Sequence, residues 1–246
     1  MRLYLLVLTI LVSMTLETTQ STDDSLTLKI PATGFTVVQH IPATQQGREH
    51  NTLYQTPRPI TQEEFNTPEL KVFIDSLYRV MQKHEGVGIA ANQVGKRLQL
   101  FIIEAKADNP RYKVLGPVEK QVFINPRITK VSTTKKNFWH GCLSAHGEKR
   151  GNVATFEWLE YECQNFKGEK VRGKLEGFAA VIFQHEFRHL MQGTYLDVAK
   201  HFLAKPALDK KIASGELPFF DTASDSLPLL IKDFEINQSI EKFKRK

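Results

Sequence analysis

The chain has 246 residues, enough for one sizeable core and one catalytic domain with extensions, and too few for two large equal ones. Its 41% hydrophobic and 24% charged residues exclude wholesale disorder and point to a soluble globular protein. The 33 basic against 27 acidic residues leave +6, scattered through loops and the C-terminus. With no basic stripe interleaved with exposed aromatics, this argues against nucleic acid as a partner.

Met1-Arg2 precedes an apolar run over residues 3–14, the charge and length of a signal peptide's first two regions and too short for a comfortable membrane span. Residues 1–21 are therefore expected to be a signal peptide or N-terminal anchor of a periplasmic, secreted or membrane-attached protein. The alternative is a cytoplasmic protein with an amphipathic or buried first helix. Residues 22–60, rich in Thr, Gln and Pro, read as an irregular extension in which only the alternating residues 35–39 suggest a strand.

Residues 61–200 read as the catalytic domain and 201–246 as a C-terminal extension. Pro68 opens a helix to about His84, with Leu70, Phe73, Ile74, Leu77, Val80 and Met81 at helical spacing. The small-residue stretch 86–95, GVGIAANQVG, follows; Gly88 suits a backbone that approaches another chain, or simply a close-packed turn. Residues 98–104 (LQLFIIE) and 121–125 (QVFIN) read as buried strands, the second closed by Pro126, with a loop over 106–112. Residues 156–164 and 170–175 read as strands joined by a turn at Asn165 to Glu169. Residues 227–246 read as a short helix or tail with a solvated end.

Two sites carry chemistry. In the helical stretch from Gly177, His185 and His189 are four residues apart and point the same way, so both imidazoles can reach one divalent cation, with Glu186 placed to take a proton from water there. Alone, His-Glu-x-x-His also occurs on ordinary helices. The second site is HGCLS, residues 140–144, where Cys142 could add a thiolate as third ligand or be a buried structural cysteine. Cys142 and Cys163 are too few for a disulfide scaffold, although one bridge between them is formally open.

Taken together and in order, GVGIAANQVG, HGCLS and QHEFRHL resemble the three motifs of the peptide deformylase family, and the likeness spans about residues 60–198. The resemblance implies an α+β fold, antiparallel sheets packed around a central helix carrying the last motif. It implies one divalent metal ion per chain held by Cys142, His185 and His189, ferrous iron by family, with Zn(II), Ni(II) or Co(II) also suited to such donors. Glu186 would be the general acid/base, and the Gln93 side-chain amide and Leu143 N–H would bind the oxyanion. Val87, Gly88, Val181 and Ile182 match positions lining the substrate groove and methionine pocket. The implied reaction removes formate from an N-formyl-methionyl peptide, by a monomer.

Three departures stand out. His140 occupies a position where the family usually has Glu, Thr155 one where it usually has Arg, and Arg188 the Asp position of His-Glu-x-Asp-His. The ligands are unchanged, so the expectation is a competent site with altered surroundings. The alternatives are an exported relative acting on another small formamide and a non-catalytic descendant that binds metal or formyl peptide. A zinc endoprotease is disfavoured because no Gly-x-x-His follows His189.

Overall fold

Helix α1, Pro68–Lys83, starts where the Thr67 hydroxyl accepts the Leu70 N–H at 3.2 Å and Pro68 supplies a preset first turn. Its buried stripe of Leu70, Phe73, Ile74, Leu77 and Met81 has the predicted spacing, and it ends just before Glu85, which has a φ of 52°. A computed structural model describes residues 28–109, 115–145, 149–218 and 220–243. The signal-peptide expectation over residues 1–21 lies outside them, as does part of the loop expected over 106–112. Among the described residues no helix is long and apolar enough to cross a membrane.

Among the described residues, nine strands form two antiparallel sheets. The first, in the order β1-β2-β3-β6-β7, comprises β1 Gly88–Ala90, β2 Leu100–Ala105, β3 Val118–Val131, β6 Trp158–Gln164 and β7 Lys170–Glu176. The second, β8-β5-β4-β9, comprises β4 Lys135–His140, β5 Lys149–Phe156, β8 His201–Ala204 and β9 Asp221–Thr222. Both faces of β2 are covered: Phe101 and Ile103 join one apolar cluster, Leu100 and Ile102 the other, which is why its sequence is apolar without alternation.

Helix α2, Gly177–Leu190, lies between the sheets. The Phe183 ring meets those of Phe101 and Phe123 edge-on at 5.0 and 4.9 Å, while α1 covers the other face of the first sheet. The arrangement is the expected α+β one.

Three local expectations are corrected. Residues 35–39 form no regular strand; their chain is tied to loops rather than to a ladder, with the Val38 N–H on the Gln93 carbonyl. Strand β3 does not close at Pro126, because the pairing with β6 shifts register there and Asn125 takes a φ of 50°, so a bulge absorbs the residue that cannot donate. Residues 227–243 hold only a three-residue 3-10 turn, Ile240–Lys242, and are packed rather than a free tail, while the end expected to be solvated, 244–246, lies outside the described residues: Leu230, Ile231, Ile240 and Phe243 are buried, and Phe234 packs edge-on against Phe187 at 4.9 Å. A short helix that the Lys-rich composition concealed, α3 Lys205–Ala213, precedes them.

Candidate metal centre

Strand β4 ends at His140 and hands the chain to the loop bearing Cys142; β5 takes it back into the same sheet. Helix α2 brings His185 and His189 to that loop from below. The donor atoms of Cys142, His185 and His189 all lie within 4.8 Å of one another, and Cys142 Sγ is 3.3 Å from His189 Nε2. Tetrahedral zinc-like bond lengths separate such donors by roughly 3.3–3.6 Å, so the set fits one ion with little movement.

Burial controls the protonation of every group here. It drives the His189 and His140 rings well below the ordinary imidazole range, and His185 down to about 4 with help from Arg150. All three rings are therefore neutral at pH 7, the form that offers a lone pair to a metal. Burial also raises the Cys142 thiol to about 12, with Glu186 adding to the rise, while Ser144 and Arg150 pull it down. A cation among these donors reverses that preference and holds the thiolate. Burial alone holds the Glu186 carboxyl well above its usual range, which suits a group that must both accept and return a proton.

His140 answers for the missing glutamate. Its Nδ1 lies 3.0 Å from Nδ1 of His185, and the two rings stack at 5.2 Å. A His185 that gives its Nε2 lone pair to a metal carries its proton on Nδ1, so His185 donates and His140 accepts. Between His140 and the Thr155 end of the strand pair stands Phe138, edge-on to His140 at 5.0 Å; the Thr155 hydroxyl turns to the Lys136 carbonyl instead. His140 and Thr155 thus turn to different partners and do not meet.

Arg188 is buried, with its guanidinium against Gly193, where a Cβ would collide with it. On the helix it projects roughly 60° round from His185 and roughly 100° from His189, toward Gly193, and its charge adds to the burial that lowers the His189 ring. Asn92 is also buried, and its Nδ2 donates to the His189 carbonyl at 2.7 Å, joining the first motif to the end of α2. Both cysteines are free thiols, Cys163 within the core, so the formal disulfide is not made.

A cavity of about 320 Å³ opens on this centre. Val87, Gly88, Gln93, Cys142, Leu143, Val181, Ile182, His185 and Glu186 all line it; His189 lies behind, fully buried. Gly88 is required: a Cβ there would overlap the Glu186 carboxylate. Since Glu104 N–H bonds the Val87 carbonyl and Gly88 stands opposite Ile103, strand alternation turns the Gly88 N–H and C=O away from β2, toward the open edge.

Sequence reasoning missed Phe138, Phe178, Arg150 and Lys205, which also line the cavity. Phe178 had a signal, since Phe178, Val181, Ile182 and His185 fall at i, i+3, i+4 and i+7 on one face of α2. Arg150 and Lys205 had none, because only the sheet pairing of β5 with β8 brings them near.

The family model for polypeptide deformylase matches residues 46–204. The chain belongs to the peptide deformylase family. It is 32% identical over 153 residues to the peptide deformylase of Leptospira biflexa, covering 60% of this chain and 82% of that protein. Against the Aquifex aeolicus peptide deformylase it is 37% identical over 142 residues, covering 58% and 80%. Among solved structures it resembles a class I type b peptide deformylase from Acinetobacter baumannii bound to Met-Ala-Ser, with a TM-score of 0.60 and 29% identity over 66% of this chain and 96% of that one. A plant peptide deformylase aligns with a TM-score of 0.56 and 26% identity over 74% and 87%. The chain is thus a metal-dependent hydrolase that removes the formyl group from N-formyl peptides.

Proposed function

We propose that this deformylase acts on N-formyl-methionyl peptides through Glu186, Gln93 and Leu143, with Cys142, His185 and His189 holding one ferrous ion. The observation that carries the reading is the meeting, at the wall of one cavity, of two neutral-ring donors and a sulfur within 4.8 Å of one another with a buried carboxyl of raised pKa. When bound, the cation supplies Lewis-acid polarisation of the formyl carbonyl and lowers the pKa of water.

The chain's own residues do the rest. Glu186 takes the proton of the attacking water and returns it to the departing amine nitrogen, which leaves formate and a free N-terminus. Gln93 Nε2, now 3.3 Å from Cys142 Sγ and 3.2 Å from Ser144 Oγ, turns one hydrogen to the developing oxyanion beside the Leu143 N–H. The peptide backbone pairs with the open edge at Gly88. Val87, Val181 and Ile182, joined by Phe138 and Phe178, offer an apolar pocket of the kind a methionine side chain fills, and aromatic rings are favourable neighbours for its sulfur.

The same donors suit zinc, nickel or cobalt, and zinc becomes the resident ion if the N-terminal segment exports the protein into an oxidising compartment, as we propose from residues 1–21. The chain acts as a monomer in this reading. Protein purified without air should carry one metal per chain and release formate from formyl-Met-Ala-Ser. One metal bound with that peptide left intact, whether iron, cobalt or nickel is supplied, would refute the proposal; fractionation of cells and size-exclusion chromatography test compartment and monomer.

A further inference from the structure

Residues 37–40 precede the stretch matched to the family model and supply no donor, yet they are bonded to both loops that flank the sulfur. The Val38 N–H donates to the Gln93 carbonyl at 2.8 Å, and the His40 N–H to the Ser144 carbonyl at 2.7 Å. Between them, Gln39 Nε2 donates to the Leu143 carbonyl at 3.2 Å, while Asn51 Nδ2 holds the Gln39 carbonyl at 2.8 Å. Gln93 and Ser144 are also the residues whose N–H groups face Cys142 Sγ, at 3.3 Å from Nε2 and 3.4 Å from the Ser144 backbone nitrogen.

The peptide joining Leu143 to Ser144 is trans, since the described residues contain no cis bond, so its C=O and N–H point in opposite directions. A donor that fixes the carbonyl therefore fixes the N–H as well. We propose that Gln39 is a positioning residue for Cys142: by holding the Leu143 carbonyl it directs the Ser144 N–H onto the sulfur. Hydrogen bonds to a ligating sulfur withdraw electron density from it and tune the metal–sulfur bond. The inference rests on Cys142 being a ligand, as in the proposed function.

Two measurements test it. In protein loaded with spin-active cadmium, NMR should show coupling from the metal to the Cys142 Cβ protons and, across the hydrogen bond, to the Ser144 amide proton. Coupling to the Cβ protons without coupling to the amide overturns this inference alone; absence of both overturns the ligand reading with it. In cobalt-loaded protein, Gln39→Met should shift the thiolate-to-cobalt charge-transfer band and weaken cobalt binding about 10-fold, the low end for loss of a ligand's partner. Asn51→Ala, which loosens the same segment but spares the Leu143 contact, should leave the band in place. An unmoved band in Gln39→Met, or an equal shift in both variants, overturns the proposal.

Discussion

The three donors of the centre come from two elements that are held in opposite ways. On α2, His185 and His189 share a face because four residues make one helical turn, and a helix buried on nearly every side has no freedom to rotate them away. On the 140–144 loop, the direction of Cys142 depends on partners far off in sequence: Gln93, 49 residues earlier, and Gln39, 104 residues before Leu143. Local spacing secures the histidines, and long-range hydrogen bonds secure the sulfur. Changes to α2 should therefore act on chemistry or ring protonation, and changes around the loop on metal affinity.

The largest effect separates chemistry from ligation on α2 itself. Glu186→Gln keeps the shape and burial of the side chain while removing the proton acceptor, so formate release should fall by about 10²–10⁴-fold with one metal per chain retained. Steady-state assay beside metal analysis decides it: an undiminished rate would remove Glu186 from proton transfer, and lost metal would make it part of the ligand set.

Ring protonation gives the next effect. With His185 lowered from 6.5 to about 4, the unfolded chain binds a proton in that window that the folded chain refuses, so stability falls as pH drops through it. Glu186 acts in the opposite sense, because its raised carboxyl keeps a proton in the folded state above pH 4.5, and its contribution is lost as pH rises. In the Glu186→Gln background that opposition disappears. Chelator-stripped protein should then lose roughly 3 kcal/mol between pH 6.5 and 4 from His185, at about 1.36 kcal/mol per unit. His140 and His189, lowered by the same burial, push in the same direction. Urea unfolding across that range measures it; a flat profile would mean that the rings are not held neutral.

The contrast also explains what was legible in the sequence. His185, Glu186 and His189 could be assigned from spacing on one helix, and β2 from an apolar run whose two faces are both covered. Cys142 could be located by its motif, but its orientation could not, because Gln93 reaches its sulfur and Gln39 the neighbouring Leu143 carbonyl only after the chain has folded. Phe138 and Arg150 reach the cavity through sheet register, and residues 227–243 enter the core through scattered apolar side chains with no period. Arg188 looked like a charge set beside the ligands, and the fold buries it there with its guanidinium against Gly193, a contact that only the turn after α2 creates.

His140 stands where the two elements touch, so it should feel both. His140→Leu removes the acceptor for the His185 Nδ1–H and leaves that donor buried, and metal affinity should fall by about 10–100-fold, read by competition with a calibrated chelator. Unchanged affinity would show that stacking, not the hydrogen bond, orients the ring.

The smallest effect lies at the seam between the first motif and α2. The Asn92 amide bonds that motif to the helix end, and it caps the carbonyl of a ligand residue rather than touching a donor atom. Asn92→Ala leaves the His189 carbonyl without that partner in a fully buried place, a loss of about 1–2 kcal/mol for a neutral hydrogen bond of this kind. Because the helix carries its own donor spacing, metal affinity should move far less than stability does. Urea midpoints and chelator competition on the same preparation distinguish the two. A large drop in affinity at Asn92→Ala would mean that α2 also relies on distant bonds to present its histidines, and that the division between a self-sufficient helix and a dependent loop is too sharp.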